Sequence, residues 1–373
     1  LRAEQAGLPA PWRLDWRVPR SRAAAEARWA QGIGAALPRE PLPDRRDIAF
    51  LLPLFAFGGL EKVAMAQARV LRRHGWRTHL VVAGAQRLDW APEVAASFDS
   101  VTLFQGLGEQ RVAYEVGYFG AALSRMPEDA EGARDALGLL ADCQVVVNTH
   151  AIGCHALAAP LRRLGVRTFA ALHLVENAAW DAPYGNPHAL AGYEHAYDGI
   201  LVISEALRGW CIGQGLPREK LTLLRNAPGH ATPPARSARA AEDLDALYAW
   251  ADVLVLPSRF EGVPLVVLEA QRMGCVPLAT DVGALGEAVA HGEDGLLVPG
   301  TLPEEAIIAG FVDALRALAA DRARLLALGE RAAARAGALE WDVTMRPWLD
   351  RLDALVPLPG AEAAPVQARP AAA

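Results

Sequence analysis

Short runs with apolar centres recur through the first part of the chain: "IAFLLPLF", "THLVVAG", "SVTLF", "CQVVVNTH", "RTFAALH" and "GILVIS". They have strand length and no apolar/polar alternation, so both faces of each strand must be buried. A parallel sheet covered by helices on both sides meets that demand. The segments between them carry the helical period. "GGLEKVAMAQARVLRRHG" repeats apolar residues at helical spacing and stops at Gly75, and 153–164 and 205–214 read likewise. The pattern predicts a doubly wound α/β unit over 47–225. A second series starts near Leu221 with "LTLLRNA", then "AAEDLDALYAWA", "DVLVLPS", "GVPLVVLEAQRMG", "CVPLATDV" and "GLLVP". It predicts a second α/β unit over 226–340, closed by a helix over 341–356. One helix of this series is expected to open with a capping box from Thr301 to Glu304, with Pro303 in its first turn.

With 373 residues, 52% of them hydrophobic, the chain can bury two such cores. A net charge of −6 argues against a nucleic-acid partner. Cys143, Cys154, Cys211 and Cys275 are far apart and form no C-x-x-C pair, which reads as reduced thiols in a cytoplasmic protein. No apolar run reaches the roughly 18 residues of a membrane span, and no signal-peptide pattern opens the chain. Residues 1–46 carry prolines, arginines, Trp12, Trp16 and Trp29 without a period. They read as a linker arm able to touch the inner face of a membrane peripherally. The Ala- and Pro-rich stretch 357–373 reads as a disordered tail.

The most informative stretch is "SRFEGVPLVVLEAQRMG", Ser258 to Gly274. In an open parallel sheet, ligands sit outside the carboxyl ends of the strands. Here "DVLVLPS" is the strand, and the corner after it holds Glu261, Gly262 and Pro264. Glycine lets backbone approach a ligand closely. Proline suits the first turn of the next helix, whose free amides attract a phosphate. Glu261 on the loop and Glu269 in the helix are acceptors, suited to hydroxyl groups rather than to phosphate. A diphosphate between two polyhydroxylated rings fits the set, which is a nucleotide sugar. Either glutamate alone reads as a solvated side chain; the specificity lies in the strand, corner and helix together.

The segment "ADVLVLPSRFEGVPLVVLEAQRMGCVPLATDVGALGEAVAHGEDGLLVP" resembles the donor-binding part of retaining GT-B glycosyltransferases of family 4. The resemblance implies two Rossmann-like domains and a nucleotide-diphosphate-sugar donor. It also implies a carbohydrate or lipid-linked acceptor, and neither metal nor cofactor. It gives Glu261 the sugar contact and Glu269 the ribose contact. Arg259, Phe260, Gly262, Val263 and Pro264 line the donor. Upstream, "FGGLEKVAMAQARVLRRHGWRTHLVV" looks like the family's glycine loop, with Gly58 and Gly59 near the phosphates. "FAALHLVEN" looks like the segment that brings a histidine, here His173, to the reacting centre. "YDGILVISEALRGWCIGQGLPREKLTLLRNAPG" looks like the passage into the second domain, with Asn226 and Gly229 near its end. "LEWDVTMRPWLDRLDAL" resembles the closing helix that crosses back onto the first domain. Together these matches cover most of 47–356 and imply a transferase of bacterial polysaccharide or glycolipid synthesis.

One interval departs from the pattern. Family members carry, after the position of Asn226, a strand ending in a Gly-Arg loop, a lysine, and a further strand and helix. Here only "APGHATPPARSARAAEDLDALYAW" stands there, with no apolar strand and no lysine. The second sheet is therefore expected to lack strands and to expose an edge. Two cationic contacts to the diphosphate are missing, which amounts to several kcal/mol of transition-state stabilisation, or on the order of 10³-fold in rate. Arg259, ahead of Arg236 and Arg239, is the candidate to replace them. Two other readings stand beside the transferase: a catalytically impaired remnant acting as a binding module, and a sugar-nucleotide epimerase of the same architecture.

Overall fold

The computed structural model describes residues 46–55, 58–83, 92–103, 136–177, 183–229 and 244–357. The arm before residue 46, Arg236, Arg239 and the tail beyond residue 357 lie outside these residues. Two parallel sheets carry the fold. The first is built from β1 (Asp47–Leu52), β2 (Arg77–Val82), β3 (Ser100–Leu103), β4 (Val145–Thr149), β5 (Arg167–Leu172), β6 (Gly199–Val202) and β7 (Leu221–Leu223). The spatial order is β3-β2-β1-β4-β5-β6-β7, with every neighbouring pair parallel. The order reverses between β1 and β4, so a crevice opens outside their carboxyl ends. Helix α1 (Gly59–Arg73) follows β1, α2 (His155–Arg163) follows β4 and α3 (Glu205–Gly213) follows β6.

All six residues of β1 are buried because the strand is covered on both faces. Phe50 and Leu52 enter one core with Ala64, Ala68 and Leu71 of α1. Ala49 and Leu51 enter another with Leu157 and Leu161 of α2. α1 ends as its charges suggest, with Glu61 in the first turn and Arg72 and Arg73 in the last, matching the helix dipole.

The second sheet holds β8 (Val253–Leu256), β9 (Val276–Asp281) and β10 (Leu296–Pro299), in that order and parallel. Helix α4 (Leu244–Trp250) precedes β8, α5 (Leu265–Arg272) follows it, and α6 (Leu285–Ala288) follows β9. Helices α7 (Glu304–Ala320) and α8 (Arg322–Gly337) then cover the sheet. β8 has no strand on its outer side among the described residues. Val255 is 44% exposed, and Trp250, Leu244 and Leu247 of α4 are exposed beside it. This is the open edge that the shortened interval implies.

The helix at 304 differs from the expectation. Its N-cap is Pro303, with no side-chain cap, and Thr301 lies outside it in a turn. Pro303 has an extended ψ of 149°, so the helix starts one residue after it and the capping box does not close. The last helix, α9 (Arg346–Leu355), returns to the first sheet. Trp348 is fully buried there, edge-on to Phe50 at 6.5 Å and to Phe169 at 6.1 Å. No helix among the described residues is long and apolar enough to cross a membrane, and the four cysteines are buried thiols outside any disulfide.

Candidate active site between the two sheets

The corner after β8 is pressed against the carboxyl end of β5. A Cβ on Gly262 would lie 2.0 Å from the His173 carbonyl oxygen and 3.1 Å from Ile203 Cδ1. Behind it, Gly283 has φ +59°, and a Cβ there would lie 1.8 Å from the Glu261 carbonyl oxygen. Only glycine fits either place, so the loop is held between the two halves. Asn226 Nδ2 donates to the Val263 carbonyl at 2.9 Å and ties the loop to the segment after β7. Pro264 is the N-cap of α5 rather than part of its first turn, since its ψ of 130° is extended.

Glu261 accepts a hydrogen bond from Ser258 Oγ at 2.7 Å. With His173, Arg259, Phe260 and Gly262 it lines a cavity of about 280 Å³ that also takes in the start of α3. Phe260 is 56% exposed at its rim, and Arg259 is turned outward, paired with Glu304 at 3.0 Å. The His173 Nε2 is enclosed and has no hydrogen-bond partner among the described residues. Burial pushes this ring down to about 3, with the nearby His150 adding to the effect. His173 is thus a neutral ring with one enclosed, unpartnered nitrogen, and Glu261 lines the same cavity.

Glu269 does not share that cavity. Leu265, Glu269 and Arg272, spaced i, i+4, i+7, put one face of α5 on a different cavity of about 710 Å³. Lys62, Arg69, Gly229 and Trp341 also line it. Glu269 is 3% exposed, and Lys62 Nζ donates to its two oxygens at 2.9 and 3.2 Å. His173 and Glu261 thus line one cavity and Glu269 another. The helix turns Glu269 away from the corner and toward α1 of the other half. Gly58 is the extended N-cap of α1 and Gly59 its exposed first residue, and neither is among the residues lining these two cavities. That loop reaches the site through Lys62, one turn further on.

Two features escaped the sequence reading. His150 closes β4 as His173 closes β5, and it is the one non-glycine residue with left-handed φ (68°) among the described residues. Such strain persists where surrounding structure imposes it, often at functional sites. The signal was there in "VVVNTH", a histidine at the carboxyl end of a buried strand. The second feature is Glu287 of α6. It accepts from the backbone amides of Glu205 at 2.9 Å and Ala206 at 2.7 Å. The start of α3 is thus bonded by a carboxylate from the opposite half. With Val63 of α1 buried in one cluster with Leu265 and Leu268 of α5, these contacts hold the two halves together.

Residues 57–227 match the family described as Glycosyltransferase Family 4, and residues 200–321 match Glycosyl transferases group 1. Curated proteins similar to the chain include the D-inositol 3-phosphate glycosyltransferases of Corynebacterium urealyticum and Nocardia farcinica. The first is 36% identical over 36% of this chain and 30% of its own length. The second is 42% identical over 30% of this chain and 24% of its own. The aligned stretch thus spans less than a third of these relatives. Among solved structures, Anabaena Alr3699/HepE in complex with UDP-glucose superposes with a TM-score of 0.60 at 12% identity, covering 82% of this chain and 99% of that one. Sucrose-phosphate synthase from Thermosynechococcus elongatus gives 0.60 at 15% identity, covering 83% and 100%. At such identities the likeness establishes the architecture. The two overlapping family matches, which together span 57–321, make this chain a member of the group 1 / family 4 glycosyltransferases, and the likeness and the paired parallel sheets give it the GT-B fold.

Proposed function

We propose that the chain transfers a sugar from a nucleotide-diphosphate-sugar donor to an acceptor hydroxyl, with retention at the anomeric carbon, in bacterial polysaccharide or glycolipid synthesis. The bond from the anomeric carbon to the diphosphate oxygen breaks, and its electron pair stays with the diphosphate. The acceptor oxygen bonds the same carbon, and its proton passes to the departing phosphate. In this reading the sugar occupies the cavity of His173 and Glu261, and the nucleoside lies toward Glu269 in the larger cavity. Glu261 accepts from sugar hydroxyls and Glu269 from the ribose. His173 stays neutral and offers its enclosed nitrogen to the sugar ring. The observation that carries the reading is His173, whose Nε2 is enclosed and unpartnered among the described residues, sharing one cavity with Glu261 beside a loop that glycine alone can form. Solved neighbours bound to UDP-glucose and relatives named as inositol-phosphate glycosyltransferases support it.

A second reading, the impaired remnant, is favoured by one observation. The second sheet has three strands among the described residues and an open edge at β8, where the diphosphate-binding unit would continue. Calorimetric titration with uridine and guanosine diphosphate sugars separates the two. Binding by wild type that Glu269→Ala weakens at least tenfold supports the transferase. No binding by wild type leaves the remnant, and binding untouched by Glu269→Ala overturns the ribose assignment.

A further inference from the structure

The Lys62–Glu269 pair joins the two halves and also lies on the wall of the larger cavity. Glu269 is nearly sealed from solvent, whereas the Lys62 side chain is 35% exposed. A buried carboxylate without a counter-charge is strongly disfavoured, so an empty site needs a cation on it. The choice of cation is informative. The chain's only lysines are Lys62 and Lys220, and every other permanently cationic side chain is arginine. Lys220 pairs with Glu194 in the first half, remote from the cavity. An arginine against Glu269 would form a rigid two-point fork and compete with any diol for the carboxylate. A lysine ammonium is a compact charge on a flexible stem, able to leave one acceptor for another.

Other cations on the cavity wall are engaged: Arg69 donates to Ser97 Oγ at 2.9 Å, and Arg73 pairs with Asp342 at 2.6 Å. Arg272 has an interaction of its own. The interval 226–250, where a diphosphate-binding lysine would otherwise lie, contains none. Lys62 is in the first turns of α1, whose N-terminal end adds positive potential on the same side.

We infer that Lys62 is the diphosphate-binding cation of this chain, supplied from the first domain in place of the second domain's missing lysine, and that it guards Glu269 until donor arrives. The inference rests on the donor-site reading given above. Ribose hydroxyls replace the ammonium on Glu269, and the ammonium re-aims at the diphosphate. The exchange leaves neither charge bare. It also draws the two halves onto one ligand, so the cation meets the negative charge that develops as the sugar departs.

The test is calorimetric titration of wild type, Lys62→Ala and Lys62→Gln with UDP, GDP and ADP, each beside its nucleoside. Gln keeps a donor to Glu269 and so protects the fold. The expected result is a roughly ten- to hundredfold loss of nucleoside diphosphate affinity in both variants, with nucleoside affinity unchanged or higher. Wild-type diphosphate binding should weaken with added salt, and the variants should lose part of that dependence. Equal losses for nucleoside and nucleoside diphosphate would make Lys62 a structural clasp and overturn the inference. So would unchanged diphosphate affinity, or a wild-type affinity that salt does not alter. If wild type binds none of these ligands, the donor-site reading itself fails and takes this one with it.

Discussion

Replacing Gly262 with alanine tests the junction without touching a charge. The added Cβ would stand 2.0 Å from the His173 carbonyl oxygen, whereas real contacts of this kind stay beyond 3.0 Å. The corner must therefore move by at least about 1 Å relative to β5. It cannot retreat locally, because Gly283 backs onto the Glu261 carbonyl behind it. The movement has to pass into the junction itself, straining the Asn226 bond to Val263 and the Glu287 bonds to α3. Overpacking of this kind costs about 1–3 kcal/mol. A reacting centre misplaced by about 1 Å loses on the order of 10²-fold in rate. Hydrogen exchange at the Glu205 and Ala206 amides reads the effect without knowledge of the substrate. Those amides should exchange about tenfold faster or more in Gly262→Ala. The amides of β1 and β4 should keep their protection. Wild-type exchange at Glu205 and Ala206 would refute the argument that the halves are closed on this glycine.

Three further outcomes follow from the same geometry. Glu287→Ala should cost about 1–2 kcal/mol in denaturant unfolding, because the first amides of α3 lose a carboxylate acceptor, and Glu287→Gln should recover part of it; a cost below about 0.3 kcal/mol would exclude Glu287 as a clasp. His155 is sealed between Tyr197 and Asn186, and burial lowers its pKa from 6.5 to about 4. Between those values the unfolded chain takes up a proton that the folded ring refuses, so this ring's contribution should be flat above pH 7 and fall by on the order of 3 kcal/mol toward pH 4, beside a similar fall from His173, as urea midpoints would report. His155→Gln should flatten part of that fall. Val255→Lys, on the open edge of β8, should reduce light scattering on heating and leave nucleotide binding unchanged; unaltered scattering would mean the edge is not what aggregates.

The elements carrying the fold were legible because burial on both faces leaves unmixed apolar runs. β1 and β4 are buried throughout, and their sequences contain little else to say. The open edge of the second sheet at β8 was legible too, since the interval before α4 holds no apolar run of strand length. Orientation was not. The seven residues between Glu261 and Glu269 give a spacing, but which face of α5 meets which partner is decided by packing against α1. Nothing in the sequence singles out Lys62, and its contact with Glu269 appears only when α5 is brought beside α1. Arg259 was the opposite case. Its place in the corner suggested a phosphate contact, yet its side chain is 81% exposed and paired with Glu304. His150 is a single letter in the sequence, and its left-handed backbone belongs to the turn that ends β4.

A crystal structure of the chain soaked with a uridine diphosphate sugar tests the central claim most directly. Ribose hydroxyls are expected on Glu269, the sugar beside His173 and Glu261, and the Lys62 ammonium moved from the carboxylate to the diphosphate. Density for the donor elsewhere, with the Lys62–Glu269 pair intact and both cavities empty, would contradict it.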